Sequence, residues 1–126
     1  MIKSFSVFIL TLVFFLNSTS CKRDNEVSCT EEYRYVTITI NGVVLDDFFT
    51  LRNINGDTIR YEKDTFIGNN VYIVLSDSYQ NVIKNKVENF TFKGLINDSI
   101  VVNEQFVIKA DECHIEYISG KTEVNL

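Results

Sequence analysis

From residue 33 onward, apolar and polar positions alternate with a period of two. Val36, Ile38 and Ile40 share one face of residues 33–40, and Tyr35, Thr37 and Thr39 the other, which predicts a strand buried on one side. Asn41-Gly42 punctuates it as a turn. Apolar positions resume over 43–51, broken by Asp46-Asp47. Asn55-Gly56-Asp57 marks another turn, after which Ile59 and Tyr61 share a face of 58–62. Over 71–76, Val71, Ile73 and Leu75 alternate with Tyr72, Val74 and Ser76. Phe90, Phe92 and Ile96 precede a turn at Asn97-Asp98. Ile100 and Val102 then lead into Phe106, Ile108 and Ala110. Cys113, Ile115 and Tyr117 alternate with His114, Glu116 and Ile118. Ser119-Gly120 turns the chain before Thr122, Val124 and Leu126. About seven short strands at near-regular spacing predict a single all-β sandwich.

One stretch departs from that period. Over 77–88, Tyr79, Val82, Ile83 and Val87 approximate a helical stripe that Asp77 could cap. The same stretch is polar enough to be a solvent-exposed crossover, and both readings stay open. Proline is absent, so edge strands must be protected by charges such as Lys93, Lys109 and Lys121.

The first 20 residues follow another logic. Met1-Ile2-Lys3 is a short positive start, residues 5–16 are almost wholly apolar, and Asn17-Ser18-Thr19-Ser20 is small and polar. The apolar run is shorter than the roughly 20 residues a spanning helix needs, so residues 1–20 are expected to be a cleaved export signal. Cys21 follows at once. Small residues before a cysteine resemble the bacterial lipobox, with Ser18 where Leu is usual and Ser20 in place of Gly or Ala. Loose lipoboxes of this kind are similar to those of Bacteroidota, as are the single Ala110 and the abundance of Ile, Asn and Lys. The resemblance implies a palmitate-type acylated Cys21, a membrane partner reached through that lipid, and an outer-membrane address on its periplasmic or outward face. Two or more acyl chains hold a protein stably where one does not. Residues 21–28 read as a lipidated flexible tether, leaving 29–126 as the folded domain.

Length supports one domain. The formal net charge is −5, and losing Lys3 with the leader makes the remainder more acidic still. That argues against nucleic acid as a partner. With Cys21 acylated, Cys29 and Cys113 form an even pair in an oxidising compartment, where a disulfide is expected. The alternative, a metal held by Cys29, Cys113 and His114, lacks paired-ligand spacing and has too few ligands.

The run Phe106-Val107-Ile108-Lys109-Ala110-Asp111-Glu112-Cys113-His114-Ile115-Glu116-Tyr117-Ile118-Ser119-Gly120 resembles the C-terminal hairpin of small bacterial lipoproteins with a carboxypeptidase-regulatory-like, transthyretin-like sandwich. In those, the cysteine of Asp-x-Cys-His often pairs with one just before the first strand, where Cys29 stands. The resemblance implies an Ig-like or transthyretin-like fold and an accessory role. It brings no catalytic residues and no cofactor.

The candidate chemistry is sparse. His114 is the only histidine; with no nucleophile motif beside it, a structural role near Ser119-Gly120 is expected. Asp46, Asp47, Asp57, Asp77, Asp111 and Glu112 are loop carboxylates without a calcium-loop pattern. Six tyrosines (Tyr33, Tyr35, Tyr61, Tyr72, Tyr79 and Tyr117) serve as packing or as an aromatic platform for carbohydrate or peptide. Phe48 and Phe49 are the better surface-binding candidates, because adjacent residues of a strand cannot face the same core. These observations predict a non-catalytic binding or assembly module on the envelope, with another envelope protein or a glycan as partner. The alternative is a cell-surface inhibitor of a host or competitor hydrolase or protease, acting through a protruding loop over 77–88.

Overall fold

The computed structural model describes residues 27–64 and 67–126. The expected signal peptide, Cys21 and most of the tether lie outside the described residues. Eight strands follow in order: β1 (Tyr35–Asn41), β2 (Asp47–Arg52), β3 (Thr58–Ile59), β4 (Val71–Ser76), β5 (Val87–Ile96), β6 (Ser99–Ala110), β7 (Ile115–Gly120) and β8 (Glu123–Asn125). They form a three-stranded sheet in the order β4-β1-β8 and a five-stranded sheet in the order β3-β2-β5-β6-β7. This is the expected all-β sandwich, with eight strands for about seven; the segment read over 58–62 is a strand only at Thr58–Ile59. Val43–Leu45, read as strand, instead carries the chain between the sheets.

The period-two pattern explains the core. Val36, Ile38 and Ile40 of β1 are buried and meet Phe48, Phe90, Phe92, Phe106 and Ile108 from the facing sheet. Each such side chain contributes about 1.5–3 kcal/mol by leaving water. Phe48 packs edge-on against Tyr72, with ring centroids 5.0 Å apart. Asn97 and Asp98, with φ of 49° and 62°, make the tight β5–β6 turn that two left-handed residues allow.

β4 departs from simple alternation. Its register against β1 slips between Val36 and Thr37, so Leu75 opposes Val36 while Ile73 opposes Thr37. Val74 is the extra residue of this bulge. The slip carries both Val74 and Leu75 into the core, where the alternation had placed them on opposite faces. Thr50 Oγ1 of β2, itself fully buried, donates across the sandwich to the Val74 carbonyl at 2.7 Å. A hydroxyl from the opposite sheet thus satisfies a carbonyl at the irregularity, as a buried acceptor requires.

The expected edge charges are misplaced: Lys93 lies on β5 and Lys109 on β6, both interior strands. Only Lys121 sits beside an edge, in the link from β7 to β8. Of residues 77–88, Val87 and Glu88 already belong to β5, and Asp77–Tyr79 form a single 3-10 turn in the crossover from β4. Its cap is Ser76, whose hydroxyl accepts from the Ser78 N–H. The crossover is packed down: Ile83 is fully buried and Gln80 nearly so, and Gln80 Nε2 donates to the Asp111 carbonyl at 2.7 Å.

Candidate functional site

Cys29 and Cys113 are joined in a disulfide spanning 84 residues, with Cα atoms 5.3 Å apart. The bridge fastens the segment before β1 to the β6–β7 connection and consumes both thiols that a metal site would have used. Beside it, three segments converge on one carboxylate. Asp77 Oδ2 accepts from the Arg34 N–H at 2.8 Å and from His114 Nδ1 at 2.7 Å. Oδ1 accepts from the Ile115 N–H at 2.8 Å. Thr30 Oγ1 lies 2.9 Å from His114 Nε2. Because an ionised carboxylate only accepts, His114 donates to Asp77 through a proton on Nδ1.

Burial alone would push the Asp77 carboxyl up. The Ile115 N–H, the His114 ring and the Arg34 N–H outweigh it and hold the group below its ordinary value. Asp111 is held below its ordinary value by the N–H groups of His114 and Cys113, which its Oδ1 accepts at 2.8 and 2.7 Å. His114 was expected near Ser119-Gly120; its partners are Thr30 and Asp77 instead. Asp77 is no helix cap, since its carboxylate points across the sandwich. Thr30 was missed, although a disulfide at Cys29 and Cys113 already places the residue after one cysteine near the residue after the other.

The order hydroxyl, imidazole, carboxylate has the connectivity of a nucleophile, base and orienter. Here the carboxylate also holds two backbone N–H groups from separate strands' approaches, and the ring is buried. The arrangement ties three chain segments together.

That tie closes one end of a cleft. β8 pairs with β1 only over Thr39–Asn41, so the first half of β1 has no neighbour on that side. β7 is an edge of the larger sheet. Two adjoining cavities of about 350 Å³ each lie between β1 and β7, sharing Tyr35, Val36 and Tyr117 as lining. At the far end Thr39 N donates to the Thr122 carbonyl at 2.8 Å and closes the opening.

The tyrosines separate by position. Tyr72 is buried, and Tyr61 and Tyr79 pack against the core. Tyr33, Tyr35 and Tyr117 are about half exposed and line the cleft. Tyr33 and Tyr35 meet edge-to-face at 5.1 Å, Tyr33 Oη is 3.1 Å from Ser76 Oγ, and Tyr117 Oη donates to the Gly120 carbonyl at 2.6 Å. Phe48 is 7% exposed and belongs to the core, which removes it as a surface-binding residue. Phe49 is half-buried on the outer face of β2 with the Arg60 guanidinium 5.0 Å above its ring. The two phenylalanines face opposite ways, as their adjacency requires, and neither lies in the cleft.

The chain matches no protein-family model, and no curated protein or solved structure is significantly similar to it.

Proposed function

We propose that this chain is a lipid-anchored envelope protein, held at the outer membrane through Cys21, that serves as a non-catalytic binding or assembly module for another envelope protein or a glycan. The leader pattern and the cysteine after it support the anchor, and the Cys29–Cys113 bridge fits an oxidising compartment. The observation that carries the binding role is the cleft between β1 and β7, where Tyr33, Tyr35 and Tyr117 stand exposed on a frame closed at both ends. Aromatic rings with polar tips are the side chains that interfaces favour. We read Thr30, His114 and Asp77 as part of that frame and assign them no turnover. Residues 77–88, packed down by Ile83 and Gln80, lack the protruding loop on which the inhibitor alternative rested.

Two measurements test this. Mass spectrometry of the protein from its own membrane should find a diacylglyceryl mass on Cys21 and no leader; an unmodified amino terminus or an intact leader refutes the anchor. A photoreactive residue in place of Ile118, the exposed neighbour of Tyr117 on β7, should give a discrete heavier adduct in cells, while one in place of Ile54 on the β2–β3 turn should not. Equal labelling from both positions, or none from either, refutes the binding role.

A further inference from the structure

We infer that the end of the sandwich where the tether enters rests on the phospholipid bilayer itself, through exposed Ile54, Val82 and Val87, with Lys84 and Lys86 facing anionic headgroups. The inference deepens the lipid anchor proposed above and rests on it.

Topology gathers these residues. β2 ends, β5 begins, β6 ends and β7 begins at one end of the larger sheet, since Arg52 opposes Phe90, Val87 opposes Lys109 and Ala110 opposes Ile115. Asn53 N donates to the Asn89 carbonyl at 3.1 Å and holds the β2–β3 turn there. Ala110 N donates to the Lys86 carbonyl at 3.1 Å, and Lys84 forms an isolated bridge with Ala110, so the last part of the crossover is held there too. The Cys29–Cys113 bond pins the tether's point of entry to the same end. Ile54 is 75% exposed, Val87 63% and Val82 43%; Ile54 is the most exposed large hydrophobic residue among those described. Aliphatic side chains gathered at one end beside cations form a contact surface of the kind that lies in a lipid interface.

Reach and charge select the bilayer as the occupant. The chain from Cys21 to Cys29 spans at most roughly 30 Å when fully extended. A lipid on Cys21 therefore confines this end near the membrane, and a confined surface needs few contacts to stay down. Residues 78–87 contain Lys84 and Lys86 and no carboxylate, in a chain of net charge −5. Among the described residues neither lysine stands in an ion pair, and the neighbouring Glu88 is turned inward to Arg52. The exposed carboxylates of this end, Glu31, Glu32, Asp57 and Glu112, lie outside that stretch. The opposite end also exposes aliphatics, Val44 and Ile100, but exposed Asp46 and Asp98 accompany them. Ile100 is about 30 Å from Lys109 along β6. An anionic surface repels that end and attracts the one bearing Lys84 and Lys86.

The chain has no tryptophan, so one introduced tryptophan reports its own surroundings. The test takes the protein, purified from its own membrane, into vesicles of phosphatidylethanolamine and phosphatidylglycerol with brominated acyl chains. Emission from Ile54→Trp and from Val87→Trp should move to shorter wavelength and fall about twofold or more against unbrominated vesicles, as for side chains buried at the acyl boundary. Ile100→Trp, exposed at the opposite end, should not change. Lys84→Glu combined with Lys86→Glu, both exposed, should bring Val87→Trp to the Ile100→Trp level without changing the melting temperature. Equal quenching at all three positions, or none at any, overturns the inference. So does quenching that the two lysine replacements leave untouched. A discrete protein adduct in cells from a photoreactive residue at Ile54 overturns it as well, because a protein then covers this end. Mass spectrometry of the same vesicles separates this inference from the anchor. Diacylated Cys21 without quenching removes the bilayer contact and leaves the anchor, and an unmodified Cys21 removes both.

Discussion

Asp77 and His114 lie 37 residues apart in the chain and 2.7 Å apart in the fold. Their contact joins the crossover after β4 to the start of β7, and the same carboxylate holds the approach to β1 through Arg34 N. Removing it leaves a buried ring and two N–H groups without their acceptor. Asp77→Ala should therefore lower the unfolding free energy by about 3 kcal/mol, since hydrogen bonds to charged groups contribute about 1.5–3 kcal/mol each. Thr30→Val, at the exposed end of the array, should cost about 1 kcal/mol or less. Urea denaturation checks both. Equal losses would mean that the array acts as a unit running through Thr30.

The acid response follows from the same geometry. Asp77, Asp111 and Glu88 all have folded pKa values below their ordinary values. A depressed carboxyl contributes stability that is present above its unfolded pKa and lost as pH falls through its folded pKa. The melting temperature should be level from about pH 7 to 5 and fall below about pH 4, the unfolded carboxylate range. Asp77→Asn should flatten that fall. A melting temperature that rises on acidification would contradict the assignment.

Arg52 and Glu88 form a bidentate ion pair, both contacts 2.7 Å, with side chains 13% and 8% exposed. The Arg52 hydrogen bond leads the causes that hold Glu88 down, and the Glu88 hydrogen bond leads those that raise Arg52. Glu88→Leu alone strands a buried guanidinium and should cost about 3–5 kcal/mol. Glu88→Leu with Arg52→Met should recover most of that loss, because two desolvated charges are then replaced by apolar packing. A double variant no better than the single one would show that the pair is favourable beyond its desolvation.

The disulfide closes a long loop, which in the chain-entropy model stabilises by roughly 4–5 kcal/mol. Cys29→Ser should lower the melting temperature and leave Cys113 open to alkylation. Wild-type Cys29 and Cys113 should resist alkylation until a reductant is added. Free reaction under native, non-reducing conditions would remove the bridge.

A glycine at the end of β7 gives a sharper backbone test. Gly120 has φ of +135°, and a Cβ there would lie 2.6 Å from Phe106 Cδ1 and 2.7 Å from the Gln105 carbonyl oxygen. Gly120→Ala should destabilise by about 1–3 kcal/mol through strain. It should also disturb the Tyr117 ring, whose hydroxyl donates to the Gly120 carbonyl. Unchanged stability together with an unchanged Tyr117 spectrum would show that the β7–β8 link relaxes freely.

What the amino-acid order determines here is local. Alternation places Ile38, Phe90 and Phe106 in the core, because side-chain direction in a strand depends only on position parity. Asn41-Gly42, Asn55-Gly56 and Asn97-Asp98 place turns, because few residues accept a positive φ. With Cys21 set aside as the expected lipid anchor, the two cysteines left over are Cys29 and Cys113, which the fold joins. The tertiary structure decided everything that depends on which strand lies beside which. β8 runs parallel to β1 and stops short of it, a bulge sends Val74 and Leu75 inward together, and Asp77 becomes a knot for three segments instead of a cap. The cleft has the same origin: Tyr35, Thr37 and Tyr117 look like ordinary strand residues in the sequence. They line one cleft only because β8 pairs with β1 over Thr39–Asn41 alone, and pairing between distant segments leaves no periodic trace in either one.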